Sequence, residues 1–274
     1  MVLILYKRKV NITKIKKNER SEEIDTILIE TPIDIFINSE PVANVICLPD
    51  SLKELAIGFI YSIGIINSYK DIKQIKVDEI EGNIYIDLIK SVHFNPSDFS
   101  MNPVSRVIDT TCGIPSPWRR FIKNKIHDSK ESIMSKITEK ISAELIFSAI
   151  VKMQSKTNLF KETGGCHGAA IFDFNGNLIS VKEDIGRHNA IDKVIGELLI
   201  KEHDFKNIFL TSTGRLTGDS VLKAIRAKIP IVASLSASIE SGIRLAFAYG
   251  ITLIGFVRGK RMNIYTNPDR IIIA

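Results

Sequence analysis

From Ser142 onward the chain alternates between two hydrophobic periods, and this alternation restricts the possible folds more than any other feature. SAELIFSAIVKMQSKT repeats its apolar residues at helical spacing, and so does the run Ala190, Ile191, Val194, Ile195, Leu198, Leu199. AAIFDF and NLISVKED are extended segments on either side of Asn175–Gly176, a pair that predicts a β-hairpin. KNIFLTS, PIVASLSAS and ITLIGFVRGKRMNIYTN read as strands, separated by the helical segments SVLKAIRAKI and IESGIRLAFAYG. Strands separated by short helices predict a mainly parallel sheet covered on both faces. Right-handed crossovers then place the strand C-terminal ends on one edge, where open α/β sheets bind ligands.

The first half has a different texture. Residues 7–25 are charged and poorly periodic, and read as an edge strand or a partly ordered arm. ILIETPIDIFINSEPVANVICLP alternates with period two, SLKELAIGFIYSIGII has helical spacing, and KQIKVDEIEG with NIYIDLIK forms a second hairpin, giving a small α+β unit up to about residue 90. Residues 91–130 are rich in Pro and Gly and read as a loop or domain connection whose end carries Trp118, Arg119, Arg120 and Phe121. Domain boundaries of 1–130 and 131–274 follow.

Charge and cysteine usage narrow the function. A net charge of +6 attracts polyanions, but acidic residues are abundant too, and a phosphorylated small ligand is as good a claimant as nucleic acid. The apolar N-terminal start is too short for a signal-peptide core, and no apolar run is long enough to span a membrane, so a cytoplasmic protein is expected. Cys47, Cys112 and Cys166 are widely spaced and odd in number, which disfavours a disulfide framework. His167 beside Cys166 lacks the further ligands of a zinc site, so no metal is expected.

The polar clusters fall near strand ends. KEDIGRHNAIDKVIG, Lys182 to Gly196, passes from a strand through a tight turn into a helix N-terminus, where free N–H groups and the dipole suit an anion. Arg187 adds a planar fork and His188 a group that titrates near neutrality, although a polar helix start with an Asp–Arg surface pair would look the same. Gly164, Gly165 and His167, then Gly214 and Arg215, then Ser234, mark three further clusters. Phe256, Val257, Arg258, Gly259, Lys260 and Arg261 form a fifth; alone it is a solvated basic turn, and beside the others it suits a multiply charged ligand such as a nucleotide diphosphate. Neither a Walker A motif nor GxGxxG is present. Cys47 in VICLP reads as a buried hydrophobe, whereas Cys112 in TTCGIPSP sits on a loop near Arg106, Arg119 and Arg120 and is the candidate nucleophile.

These residues resemble the FdhD family, the accessory sulfurtransferases of formate dehydrogenase. The likeness runs through ETPIDIFINSEPV, LKELAIGFIYSIGI, TGGCHGAAIF, KEDIGRHNAIDKVIG, TSTGRL and ITLIGFVRGKRMNIY, with GRHNAIDKVIG the most specific. The resemblance implies an α/β fold with a C-terminal cytidine-deaminase-like α/β/α domain, a smaller N-terminal α+β domain, and a homodimer. It further implies that Cys112 accepts persulfide sulfur from a cysteine desulfurase. The sulfur then passes to the molybdenum of a bis(molybdopterin guanine dinucleotide) cofactor destined for the formate dehydrogenase catalytic subunit. By the same likeness Phe256 to Arg261 and the loop Gly186, Arg187, His188, Asn189 hold the cofactor, or a GDP-like ligand. The family's usual CGxC is broken here by Pro115, so a two-cysteine relay on that loop is impossible. Asp219 replaces a usual Glu, Ser238–Ile239 a usual Pro–Thr, and Ile63 a usual Glu. A cofactor-binding chaperone without sulfur transfer is the alternative function.

Overall fold

The computed structural model of the protein describes residues 6–96, 107–108 and 139–273. Strands β1 (Lys7–Lys16) and β2 (Glu19–Leu28) pair antiparallel as a two-stranded ribbon. Both its faces are largely solvated, so the strands carry no apolar alternation that the sequence could betray. At its base, Lys7 pairs with Glu162 at 2.6 Å.

Strands β3 (Thr31–Ile37) and β4 (Glu40–Cys47) form the expected hairpin, turning through Asn38 and Ser39, which both have positive φ as a two-residue loop demands. Helix α1 (Leu52–Ser62) follows, then the hairpin β5 (Ile72–Asp78) and β6 (Asn83–Leu88), and the short β7 (Val107–Ile108). They make a five-stranded sheet of order β5-β6-β3-β4-β7, in which β6 runs parallel to β3 and β7 parallel to β4. Ile33, Ile35 and Ile37 all point inward and are at most 1% exposed.

The second half begins with β8 (Ile141–Ser142) and α2 (Ala143–Lys156), whose first turn is capped by the Ser142 hydroxyl accepting from Leu145 N–H. Then come α3 (Asn158–Thr163), β9 (His167–Asp173), β10 (Leu178–Asp184), α4 (Arg187–Ile200), β11 (Ile208–Ser212), α5 (Gly218–Arg226), β12 (Ile231–Ser234), α6 (Glu240–Ala248), β13 (Thr252–Arg258), β14 (Arg261–Thr266) and β15 (Ile271–Ile272). A six-stranded sheet of order β10-β9-β11-β12-β13-β14 results.

This sheet is mixed rather than mainly parallel. Only β11, β12 and β13, joined by α5 and α6, pair in parallel; β10 points the same way but is separated from β11 by the antiparallel β9, and β14 pairs antiparallel with β13. A helix between strands forces a crossover only where it is present, and β9–β10 and β13–β14 are hairpins. The segment read as one strand, ITLIGFVRGKRMNIYTN, therefore folds back on itself at Gly259, whose φ is 57°.

Helices cover both faces of the six-stranded sheet. On one side α2 packs Ile146, Ala149, Ile150 and Met153 against Phe172, Phe209, Ile231 and Ile254. On the other, α4, α5 and α6 share a single hydrophobic cluster with α1 and the five-stranded sheet, running from Ile33 to Leu253. The tightest junction is between α1 and α4. A Cβ on Gly58 would land on the Asp192 carbonyl, and one on Gly196 on the Glu54 carbonyl, so the two helix backbones touch at a pair of glycines. Beside them the Ser62 hydroxyl donates to Asp192 at 2.7 Å, and Lys223 pairs with Asp192 at 2.6 Å, both ion-pair side chains being buried. Among the described residues no helix is long and apolar enough to cross a membrane.

Candidate functional site

Antiparallel pairing of β9 places its first residue, His167, opposite the last residue of β10, Asp184, and near the end of β11, where Ser212 pairs with Ala169. Parallel pairing puts Ser212 beside Ser234 at the end of β12. One sheet edge therefore receives the starts or ends of β9, β10, β11, β12 and β13, and residues from all five polar clusters read from the sequence meet there.

Hydroxyl groups shape the loops at this edge. Ser234 is buried, and its hydroxyl lies 3.0 Å from the Ser212 carbonyl and 2.6 Å from the Gly214 carbonyl while accepting from Ser236 N–H. Ser212 accepts from Gly214 N–H at 3.0 Å. Thr213 accepts from Gly168 N–H at 3.0 Å and lies 3.2 Å from His167 Nδ1, so its own proton can be donated to the ring. A Cβ on Gly214 would come within 2.7 Å of Arg187 Cβ, so glycine is what lets the 213–215 loop lie against the start of α4.

Two groups of side chains result, with Thr213 belonging to both. The first lines a cleft of about 410 Å³: Thr213, Ser236, Val257, Arg258 and Gly259 on the sheet side, and Phe147, Ile150, Val151, Gln154 and Phe160 from α2 and α3. It is mostly apolar with a few polar groups, the usual composition of a small-molecule site. The second comprises His167, Arg187, Thr213, Gly214 and Arg215. Arg187 begins α4 after Gly186, a cap position without a side chain, so the first-turn N–H groups have no side-chain cap from it. The Nε of Arg187 is buried and makes no hydrogen bond within the protein. Burial disfavours its charge most, the neighbouring Arg215 adds to this, and Asp219 opposes it. Burial, then Arg187 and Arg215, hold His167 below its ordinary pKa, which keeps the ring neutral at neutral pH. Two like charges close to a helix N-terminus are an arrangement that suits an anion.

The other residues singled out from the sequence take different places. Asn189 is turned away from this edge, donating to the Ile46 carbonyl at 2.9 Å and to Asp184 at 3.0 Å. His188 is buried with Nδ1 3.5 Å from the Ser220 hydroxyl. Gly164 and Gly165 are exposed after α3. Phe256 is partly exposed at a kink with φ 52°, its N–H donating to the Ser236 carbonyl, and Lys260 and Arg261 occupy the exposed β13–β14 turn. Cys112 lies outside the described residues, as do Arg106 and Trp118 to Phe121.

The remaining thiols are poor nucleophiles. Cys47 is fully buried, and burial pushes its pKa up far beyond the ordinary thiol value. Cys166 lies 3.7 Å from Glu183, and burial, then that carboxylate, push its pKa up to about 12. The Glu183 carboxylate also accepts from the Leu159 and Phe160 N–H groups at the start of α3, which anchors one wall of the cleft.

Sequence reasoning missed that wall. Phe147, Ile150, Val151 and Gln154 recur at helical spacing and read simply as the apolar face of α2. The available signal was that Val151, 64% exposed, extends the apolar stripe beyond what the core needs.

These features define a mixed α/β protein whose strand-end edge brings together arginines, glycine-rich loops and an apolar cleft. Comparison with known proteins specifies the family: the model of the FdhD/NarQ family matches residues 28–272, and the chain belongs to that family. It is 38% identical to the sulfur carrier protein FdhD of Sulfolobus acidocaldarius, over 96% of this chain and 98% of that one. It is 33% identical to the protein of the same name from Bacillus subtilis, over 95% of this chain and 96% of that one. It is also similar to the crystal structure of a protein from Desulfotalea psychrophila described as a formate dehydrogenase accessory protein. There the TM-score is 0.76 at 27% identity, covering 98% of this chain and 100% of that one.

Proposed function

We propose that this chain is a sulfur carrier in the maturation of formate dehydrogenase, accepting sulfur on Cys112 and delivering it to a bound molybdenum cofactor. In the loading step the Cys112 thiolate attacks the outer sulfur of a cysteine desulfurase persulfide. The new S–S bond forms on Cys112, and the desulfurase cysteine leaves as a thiolate. The outer sulfur then passes to the molybdenum of bis(molybdopterin guanine dinucleotide), the cargo that the formate dehydrogenase catalytic subunit later receives: the S–S bond on Cys112 breaks, Cys112 leaves as a thiolate, and the sulfur takes two electrons from reduced molybdenum to become its sulfido ligand. The carrying observation is the convergence of Arg187, Arg215 and Arg258 with an apolar cleft on one sheet edge. Such an edge suits a ligand that joins diphosphates to flat rings. The names of the relatives support the sulfur-carrying role. A cytoplasmic homodimer and a cytidine-deaminase-like architecture for residues 131–274 belong to the same reading, the latter supported by a sheet with helices on both faces.

Formate dehydrogenase activity is the test. In cells lacking the native gene, wild type restores it and Cys112→Ala does not. Full restoration by Cys112→Ala removes sulfur transfer and leaves a cofactor-binding chaperone, the reading that the absence of a second cysteine on the loop favours.

A further inference from the structure

Asp184 is buried with its counter-ion Lys193, both 0% exposed and 2.7 Å apart. Such a pair adds little net stability against its desolvation, so its use has to be sought in the geometry it imposes. The carboxylate is saturated by donors from two separate parts of the chain. Oδ1 accepts from Gly186 N–H at 2.8 Å and from Asn189 Nδ2 at 3.0 Å, fixing the residues on either side of Arg187 and His188. Oδ2 accepts from Leu48 N–H at 3.1 Å, just beyond the end of β4. Lys193 donates to the Leu48 carbonyl at 3.1 Å and to the Glu183 carbonyl at 3.2 Å, and Asn189 donates to the Ile46 carbonyl at 2.9 Å. Strand β4 is in turn the partner of β7, with Asn44 opposite Val107 and Val45 opposite Ile108. Cys112 follows four residues later in the chain.

From this geometry we infer that Asp184 is a positioning residue: a buried latch that sets the Gly186–Asn189 turn in register with the strand β4. It thereby ties the anion-binding edge to the strand pair that leads into the Cys112 segment. The inference rests on the proposed function for the identity of the ligand, and on hydrogen bonds alone for the latch. A saturated carboxylate with no rotational freedom supplies a fixed constraint between the turn and the strand.

A second buried pair, Lys223–Asp192, is the internal control, because it is similarly buried but bonds to neither segment. Amide hydrogen exchange of the ligand-free full chain is measured for wild type, Asp184→Asn and Lys223→Met. The expected result is at least tenfold faster exchange in Asp184→Asn at residues 46–48 and 185–189 together. Lys223→Met leaves both segments at wild-type rates relative to its own global stability. Faster exchange at one segment only, at neither, or equally across the chain in both variants overturns the latch. If Asp184→Asn does not fold, Lys193→Met is read against Lys223→Met by the same criterion. Guanosine diphosphate titration adds the ligand: Asp184→Asn binds at least tenfold more weakly than wild type, and equal binding counts against Asp184. Failure of wild type to bind guanosine diphosphate counts against the proposed function alone, and exchange still decides the latch.

Discussion

Cys166 sits next to His167 at the candidate site, yet its surroundings suppress its chemistry. Its thiolate is the reactive form, and burial beside Glu183 pushes the pKa from 9.0 up to about 12. In the folded protein the thiolate therefore appears only as pH climbs toward that value. The protonated thiol contributes stability below its unfolded pKa, and that contribution is lost as pH rises from about 9.0 through about 12. At pH 7.5 iodoacetamide accordingly labels wild type once, and folded Cys112→Ser not at all, with Cys47 and Cys166 reacting only after denaturation; a peptide map of the label checks this. Arg187 makes the opposite case, a cation placed where another cation already stands. Replacing it with Ala weakens guanosine diphosphate by about tenfold to a hundredfold, the worth of a charge-assisted pair of about 1.5–3 kcal/mol. Calorimetric titration measures this, and unchanged affinity would move the anion site elsewhere.

Two glycines decide how the elements meet. Gly58 and Gly196 let α1 and α4 touch backbone to backbone, and any Cβ there strikes a carbonyl. Gly196→Ala should cost at least about 1–3 kcal/mol, as overpacking does, read as a lower urea midpoint at unchanged slope. Both glycines lie inside helical patterns, and nothing in the sequence distinguishes a contact of this kind from a tolerated helix interior. The β3–β4 and β9–β10 hairpins and all six described helices except the short α3 were legible, because a half-buried element prints its period on the chain. The β1–β2 ribbon buries neither face and so prints nothing. The basic turn around Gly259 was legible from its cations, but the division of ITLIGFVRGKRMNIYTN into two antiparallel strands there was not. Helix α2 was legible as an element but was not read as a wall of the cleft, the one sign being that its apolar stripe widens to Val151, beyond the face the core uses.

At the scale of the whole molecule, one sheet edge collects what the chain scatters. His167, Arg187, Arg215, Ser234 and Arg258 are far apart in sequence, and their convergence followed from the rule that strand ends share an edge. That rule does not say which way a side chain turns, so Asn189, chosen with its neighbours, proves to bond Ile46 and Asp184. The hydrophobic cluster that joins α1 and the five-stranded sheet to α4, α5 and α6 likewise left no trace in local patterns, being made of contacts distant in sequence. In the proposed function, binding belongs to the edge and sulfur chemistry to Cys112 alone. Mass spectrometry of the full chain after incubation with a cysteine desulfurase and cysteine tests that most directly. The expected result is one added sulfur, mapped to Cys112 and removed by a reducing agent, with Cys47 and Cys166 unmodified. Sulfur on Cys166, or none on any cysteine, would contradict it.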